Sequence, residues 1–388
     1  FADHDDGERG LRLATALGYF WEARGCMVEG RRELEAALAR ASAADPSLRA
    51  RALTWLGALL IWTLGDEEGA NGTAAAEHAT AVVNQALELA RTVEDTVSIA
   101  QSLSHLGVLS LHTRNWDQGR RCLDEAQHYW QEAQHAWGIA HTLLYLGALE
   151  LMQGHHEDAV RFAEESLVRS RDLGDDLARG LALVLLMLAT GARADVSRAI
   201  TLVRELLALS HETQNRRLMV LCAGGVAWLL GHQSEPKRLT RLLGAARAMR
   251  QATGFVGSQP LRGYVAIAGE TLQARLGAEA FEAGLREGHA LSFEQMTALI
   301  GQALDGALGD GAPTEAAPEP IKRNILSPRE QEVLHLVAQG LSNKRIAQEI
   351  IVAESTVRYH STSIFNKLGV DSRAHAIAVA AHRGLVLL

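Results

Sequence analysis

The sequence is poor in cysteine, proline and aromatic residues. Its 388 residues include three cysteines and seven prolines, and aromatic residues make up 5% of the chain. Cys26, Cys122 and Cys222 are widely spaced and lie inside apolar, helix-like patterns, so we expect buried thiols in a reducing compartment rather than a disulfide framework. The scarcity of aromatic residues favours small-residue helix packing over a β-sandwich.

No apolar run is long enough to cross a membrane. The stretch that comes nearest, residues 181–190, lies between Arg179 and Arg193 and is shorter than the roughly 18 residues that a span requires. The start of the chain carries no charged segment followed by an apolar one. We therefore expect a cytoplasmic protein without a membrane segment. Because the first residue is Phe1, we also expect the chain to be part of a longer protein.

The net charge of −8 is unevenly distributed. From residue 321 onward there are nine Lys or Arg and five Asp or Glu, a net charge of +4, which leaves −12 for the preceding residues. A small basic module on an acidic body is typical of proteins in which only the tail meets a polyanion. Between the two parts, residues 309–324 are rich in Pro, Gly and Ala, and we predict a linker there.

The body repeats itself with a period of about 40 residues. Residues 102–126 align without a gap with residues 142–166, so that Leu106-Gly107 matches Leu146-Gly147. Weaker copies bring the total to about six helix pairs in residues 1–253. Since one helix pair cannot cover its own apolar face, we expect the copies to stack into a right-handed α-solenoid that residues 254–308 close with further helices. These residues resemble tetratricopeptide-like repeats, although most copies lack the terminal proline of that pattern.

Residues 325–388 read as four short helices. Ser327-Pro328-Arg329-Glu330 has the pattern of a capping box, and Ser342 is placed to cap the second helix. The third helix, residues 354–368, carries an apolar stripe formed by Val357, Ile364, Phe365 and Leu368. Two short helices followed by an amphipathic one with a polar face predict a DNA-binding helix-turn-helix.

In that geometry the third helix enters the major groove, where arginine can bond bidentately to guanine. The residues expected to contact bases are Arg358, Tyr359, Thr362 and Asn366. The residues expected to contact phosphates are Ser342, Asn343, Lys344, Arg345, Thr356, His360 and Lys367. An amphipathic helix whose polar face is merely solvated is the alternative interpretation of the third helix alone.

The whole tail resembles the C-terminal domain of LuxR/NarL-type regulators. The matching features are Leu-Ser-Pro-Arg-Glu, Gly-Leu-Ser-Asn-Lys, Ser-Thr-Val-Arg and Lys-Leu-Gly-Val. The resemblance implies that the third helix reads the major groove of double-stranded DNA and that the last helix forms a homodimer contact. Three positions depart from the family pattern: Arg345 replaces a usual Glu, Ala353 replaces a capping Ser, and Ser361 takes a usually aliphatic place.

The body narrows the class of regulator. No strand-rich segment suggests a phosphoacceptor receiver or an acyl-homoserine-lactone sensor. The repeats resemble those of regulators of the MalT type, in which an ATPase module precedes the repeats. None of the four lysines follows a glycine, so this chain has no Walker A motif. The resemblance therefore implies that an ATPase module was lost or precedes Phe1, and we expect no cofactor in this chain.

The concave face of the solenoid is a candidate groove for an unknown ligand or protein partner. Placing the repeat pattern on Gly57, Gly107 and Gly147 predicts a polar row on that face, made of Arg51, Thr54, Trp62, Gln101, Ser104, His112 and His141. The alternative for each of these residues is a solvated edge or a hydrogen-bonded core position. Residues 155–158, His-His-Glu-Asp, resemble a metal cluster but occupy an inter-helix turn where polar caps belong, so we expect no metal site.

No catalytic signature appears among these residues, and we do not expect an enzyme. The sequence predicts a transcriptional regulator with an acidic helical-repeat body, a linker and a DNA-binding tail. The alternative is a protein-interaction scaffold whose tail is a degenerate helical domain without DNA binding.

Overall fold

The computed structural model describes residues 2–64, 70–232, 235–253, 259–309, 328–339 and 341–350, and eight single positions that follow them: Val357, His360, Ser361, Ile364, Phe365, Val370, Arg373 and Ala376. The described residues form α-helices and no β-strand, which confirms the predicted all-α fold for this part of the chain. The chain divides into two compact units, Phe1–Pro318 and Glu319–Leu388. The predicted linker lies outside the described residues except for Gly309.

The first unit begins with three helices and continues with helix pairs. The leading helices are α1 (Ala2–Ala16), α2 (Gly18–Arg24) and α3 (Met27–Arg40). The pairs are α4 (Pro46–Trp62) with α5 (Ala70–Thr92), α6 (Thr96–Thr113) with α7 (Trp116–Glu132), α8 (Ala136–Gln153) with α9 (His156–Leu173), α10 (Asp176–Ala192) with α11 (Val196–Glu212), and α12 (Arg216–Leu230) with α13 (Pro236–Thr253). Three more helices, α14 (Gln259–Leu276), α15 (Ala278–Gly288) and α16 (Phe293–Gly309), complete the unit.

The first helix of each pair is buried nearly all round, whereas the second buries one face. In α12, for example, every residue from Arg217 to Leu230 is buried. Each first helix packs against its own partner and against the first helix of the next pair, in the series α4, α6, α8, α10 and α12. The repeats therefore stack on a continuous inner layer of helices, as a solenoid requires.

The 40-residue period extends to the turns between pairs. The residues that precede α6, α8, α10 and α12 are spaced 40 apart and accept a hydrogen bond from a backbone amide of the helix they start: Asp95, His135, Asp175 and Asn215. Such side-chain caps satisfy amides that the first helical turn leaves unpaired. The residue before each cap has a positive φ, between 50° and 67°, which ends the preceding helix in a left-handed conformation.

Close approach within a pair explains the Leu-Gly signature. A β-carbon added at Gly107 of α6 would lie 2.5 Å from Cγ of Leu123 in α7, and Leu123 is fully buried. Only glycine allows the two helices to pack at this distance.

The last helices of the first unit cover the apolar end of the stack. α14 and α16 pack on α12, and α15 packs on α13. Met296, Ile300 and Leu304 of α16 are fully buried, so this end of the inner layer is closed by the chain itself. Among the described helices, none combines the length and the apolar character needed to cross a bilayer.

The second unit contains α17 (Pro328–Ala338) and α18 (Asn343–Glu349). Val357, His360, Ser361, Ile364 and Phe365 are also helical. The capping serine predicted at Ser327 lies outside the described residues.

Replacing Gly107 with alanine should destabilise the first unit by about 1–3 kcal/mol, because the added methyl group overpacks the buried Leu123. The measurement is urea unfolding followed by circular dichroism. Gly301→Ala is the matched control, since a β-carbon at Gly301 in α16 meets no atom within 4 Å. The control should be neutral or stabilising by up to about 1 kcal/mol. Equal losses in the two variants would contradict the close contact.

Candidate functional site

The second unit has its own small apolar core. Val333, Leu334 and Val337 of α17 pack with Ile346 and Ala347 of α18. The same cluster includes Ile350, Val357, Ile364 and Ala376, all buried. Val357 and Ile364 are at most 1% exposed and Phe365 packs against the cluster, which confirms the predicted inward stripe at these three positions. Leu368 lies outside the described residues.

The start of α18 presents exposed basic side chains. The Ser342 hydroxyl accepts a hydrogen bond from the amide of Arg345 at 3.4 Å, as the predicted cap requires. Lys344 and Arg345 are exposed in the first turn of the helix, and Asn343 is half-buried. Two positive charges beside an N-terminal helical turn favour contact with an anion.

Arg373 holds the turn between α17 and α18, a role that the sequence analysis missed. Its guanidinium donates hydrogen bonds to the carbonyl oxygens of Val337 and Leu341 and, at 3.4 Å, to Oδ1 of Asn343. A planar group with several donors can satisfy several carbonyls that a helix end leaves unpaired. The position of Asn343 therefore depends on a residue 30 positions later in the chain.

The residues expected to contact bases, Arg358, Tyr359, Thr362 and Asn366, lie outside the described residues, as do Thr356 and Lys367. His360 is described: it is helical and half-buried. Of the predicted phosphate contacts, the structure thus brings Ser342, Lys344 and Arg345 together on one exposed turn.

Ser361 introduces a polar atom into this core. It is 8% exposed, and its hydroxyl has no hydrogen-bond partner among the described residues. An unpaired buried hydroxyl costs roughly 1–3 kcal/mol. The departure from an aliphatic residue at this position therefore weakens the support of the helix that carries it.

In the first unit, the polar residues predicted on the concave face are mostly engaged within the chain. Thr54 lies 3.3 Å from Ser102, and Ser104 lies 3.3 Å from Thr142, so both hydroxyls bridge neighbouring inner helices. Thr54 and Ser104 are buried, as are Trp62 and His141. The expectation that these four side chains face an open groove is corrected, because the stacking of inner helices covers them.

The remaining three residues of that row are partly accessible. Arg51 is exposed and pairs with Asp95 at 2.9 Å. His112 lies 3.2 Å from a guanidinium nitrogen of Arg262 in α14. Gln101 is half-buried, and its Nε2 atom is enclosed without a hydrogen-bond partner in the described part of the chain.

Helix α2, one of the three leading helices, lies against the inner helices of later pairs. The Tyr19 hydroxyl donates a hydrogen bond to Asp175, the cap of α10, at 2.8 Å. The Tyr19 ring also meets Trp137 of α8 edge-on, with centroids 5.9 Å apart. Further along, the Asn215 amide donates to the carbonyl of Ala23 at 3.3 Å. These contacts join residues more than 100 positions apart.

A buried ion pair completes this closure. The side chains of Arg217 and Glu22 are 0% and 5% exposed, with a guanidinium nitrogen 3.7 Å from a carboxylate oxygen. Arg217 also donates to the Glu22 carbonyl at 3.3 Å, and its guanidinium lies 4.7 Å from the Trp62 ring centroid. Burial lowers the pKa of Arg217, and the negative charge of Glu22 opposes that shift. Removing either partner would leave the other charge buried and uncompensated.

Asp175 is the centre of a second buried network. Its Oδ2 atom lies 3.0 Å from Nε2 of His141, which is stacked on Trp137 at 4.0 Å. Burial alone would raise the pKa of Asp175, but the hydrogen bond and charge of His141, the Ala178 amide and Tyr19 outweigh it and lower the pKa to about 2. Burial and the charge of Asp175 raise the pKa of Tyr19. The carboxylate is therefore ionised and the phenol protonated over the physiological range.

Two histidines of α6 are held neutral. Burial and the neighbouring His141 lower the pKa of His105 to about 4, and burial and the charge of Arg262 lower the pKa of His112 to about 4. His105 is buried, and its Nδ1 atom has no hydrogen-bond partner among the described residues.

The sequence analysis did not single out Tyr19, Glu22, Asp175 or Arg217. The 40-residue spacing of the caps could have identified Asp175, because Asp95, Asp175 and Asn215 are typical capping residues. No local pattern marks Glu22 and Arg217, whose pairing requires the whole stack.

Comparison with known proteins assigns the C-terminal segment to a family. Residues 324–380 match the model described as bacterial regulatory proteins, luxR family. This segment is a LuxR-family helix-turn-helix domain, as the sequence motifs predicted.

The relatives described below are named as regulators. The chain spans less than half of the length of each of them. A putative HTH-type transcriptional regulator of Mycobacterium tuberculosis is 35% identical over 164 residues, 41% of this chain and 17% of that protein. The oxygen regulatory protein NreC of Staphylococcus aureus is 37% identical over 90 residues, 23% of this chain and 39% of NreC.

A solved structure shows a more distant likeness to the chain. It is a Signal Transduction ATPase with Numerous Domains, with a tetratricopeptide repeat sensor, from Pyrococcus horikoshii. Its TM-score is 0.41 and its identity 12%, over 76% of this chain and 43% of that one.

The low pKa of His105 predicts an acid-sensitive first unit. Between pH 6.5 and about 4 the unfolded state binds a proton at this residue and the folded state does not, so stability should fall as the pH drops through this window. His105→Leu should remove up to about 3 kcal/mol of this dependence. The measurement is urea unfolding at several pH values. His78→Leu, at an exposed position of α5, is the control and should keep the wild-type slope. Parallel slopes for all three proteins would contradict a neutral buried His105.

Ser361→Ala should stabilise the second unit by about 1 kcal/mol, because it removes a buried hydroxyl that has no hydrogen-bond partner among the described residues, without adding volume. Thermal unfolding of the chain, followed by a probe within residues 319–388, measures the effect. Ser342→Ala is the contrasting variant, since loss of its cap should cost about 1 kcal/mol. Destabilisation by Ser361→Ala would show that the hydroxyl is hydrogen-bonded.

Proposed function

We propose that this protein is a DNA-binding transcriptional regulator whose C-terminal helix-turn-helix reads the major groove of double-stranded DNA and whose helical-repeat body receives the signal. One observation carries the proposal: α17 and α18 pack around a sealed apolar core and expose Lys344 and Arg345, in a segment that matches the luxR family model.

The exposed turn of α18 suits the DNA backbone. Lys344 and Arg345 supply positive charge, and neutralising phosphates releases counterions and gives affinity at every sequence. The side-chain Oδ1 atom of Asn343 accepts a hydrogen bond from Arg373, which leaves the side-chain NH2 group of Asn343 to donate to a phosphate oxygen. Ser342 and Asn343 thus orient the turn, and His360, Thr356 and Lys367 are proposed as further phosphate contacts.

The buried stripe supports the assignment of the base-reading face. Val357, Ser361 and Ile364 are buried at helical spacing, so one side of this helix faces the core. At 100° per residue, the sequence register puts Tyr359, Thr362 and Asn366 on the opposite side and Arg358 at its border. Side chains that bond to base edges are needed on that side of a recognition helix.

Dimerisation and signal input are further parts of the proposal. The LuxR-type domain implies a homodimer through the last helix, which suits two DNA half-sites related by twofold symmetry. The body is proposed to sense a ligand or protein partner, since stacked repeats provide extended binding surfaces. A transcriptional regulator acts on DNA, so we propose a cytoplasmic location. The mycobacterial relative's description as a transcriptional regulator supports this function.

Binding to duplex DNA tests the proposal. A duplex is first selected from random sequences by binding to the chain. The affinity of the chain for this duplex, measured by fluorescence anisotropy, should fall steeply as the salt concentration rises. Arg358→Ala should cost about 1–3 kcal/mol and relax preference at one base position. Lys367→Ala should weaken binding to all sequences alike and lower the salt slope by roughly one.

Lys237→Ala, an exposed lysine of the body, is the matched control and should leave binding unchanged. Equally weak binding of wild type and Arg358→Ala to every duplex would instead favour a protein-interaction scaffold with a degenerate tail.

A further inference from the structure

A cavity of about 170 Å³ lies among the last helices of the first unit. Its apolar walls come from α12, α13, α14 and α15, and consist of Val220, Leu221, Gly224, Leu243, Ala246, Val265, Gly269 and Leu285. Val220 and Leu221 are buried, so the floor of the cavity is apolar. The polar residues of the predicted groove do not line it.

The remaining lining residues are three arginines: Arg247 and Arg250 of α13, and Arg262 of α14. Arg247 is exposed and the other two are half-buried, and we call these three residues the arginine rim. Arg250 and Arg262 also have partners within the chain. Arg262 is held in place by the Leu64 carbonyl at 2.9 Å and by His112. No carboxylate of the described residues lines the cavity, although the body as a whole is acidic.

We infer that this cavity binds a small organic carboxylate, with its apolar part on the floor and its carboxylate paired with Arg247 of the arginine rim. Arginine pairs with carboxylates through charge-assisted, often bidentate hydrogen bonds. Apolar walls favour an aromatic ring or a branched alkyl chain through removal of apolar surface from water. The positive charge of the arginine rim disfavours a cationic ligand. A sugar is also disfavoured, because its hydroxyl groups would find too few hydrogen-bond partners on the apolar walls.

The volume limits the size of the ligand. An apolar cavity of about 150 Å³ accommodates one benzene molecule in another protein. The space here therefore fits a single ring, or a branched chain of about six carbons, with the carboxylate reaching the rim. A nucleotide or a steroid exceeds it.

Gly269 offers a way to fill the cavity without disturbing its walls. A β-carbon at Gly269 meets no atom within 4 Å, although this residue lies on the packed helix α14 and lines the cavity. A leucine side chain at this position would occupy the proposed ligand space. Gly263 lies on the same helix, is exposed, has equally open space around a β-carbon and does not line the cavity. The two glycines form a matched pair.

The experiment is calorimetric titration and thermal unfolding of the whole chain with benzoate, phenylacetate and 4-methylpentanoate. Benzyl alcohol is the control that keeps the ring but carries no charge. Acetate is the control that keeps the carboxylate but lacks the ring or branched chain. We expect saturable binding of at least one of the three carboxylates, with affinity at least about tenfold above both controls. Gly269→Leu should abolish binding while keeping the helical content, and Gly263→Leu should keep it. Arg247→Gln should weaken binding about fivefold or more and reduce its salt dependence.

Three outcomes would overturn the inference: no binding of any of the three carboxylates, equal binding of benzyl alcohol, or undiminished binding by Gly269→Leu. The inference goes beyond the proposed function and does not depend on it, because the titration contains no DNA. Loss of DNA binding in the variants of the third helix would leave this result unchanged.

Discussion

The inner helices of the body are too apolar to be stable without neighbours on several sides. In α12, buried residues run without interruption from Arg217 to Leu230. A single helix pair covers one side of such a helix, so the next pair must cover another, and the stack continues until something different closes it. At one end this is done by α14 and α16, and at the other by α1 to α3. The requirement for burial thus determines both the repetition and the need for dissimilar ends.

Closing the stack brings charges into the interior. Arg217 and Glu22 are almost fully buried, and in such a pair desolvation offsets much of the attraction between the charges. The same holds for Asp175, whose carboxylate accepts from Tyr19 and the Ala178 amide and lies beside His141. These contacts fix how α2 lies against α8, α10 and α12. The polar residues of the inner helices in these contacts therefore bind to other parts of the same chain.

The two units differ in net charge and in the side chains that they expose. The body carries a net negative charge, whereas the basic tail exposes Lys344 and Arg345 on a short helix braced by Arg373. The arginine-rimmed cavity is the exception within the acidic body, and it lies among the closing helices rather than in the regular repeats.

Much of this architecture could be predicted from local pattern. The 40-residue period, the Leu-Gly approach and the helix-turn-helix motif follow from the spacing of apolar, small and capping residues, because these properties act between neighbours in sequence or between adjacent repeats. The all-α fold, the buried stripe at Val357 and Ile364, and the Ser342 cap were accordingly predicted. Of the residues predicted for the concave row, Thr54, Ser104, Trp62 and His141 are buried. Only the tertiary structure decided this, together with the pairing of Glu22 with Arg217, the low pKa of His105, the bracing by Arg373 and the cavity beside Gly269. Each of these depends on segments distant in the chain, which meet only when the whole stack has formed.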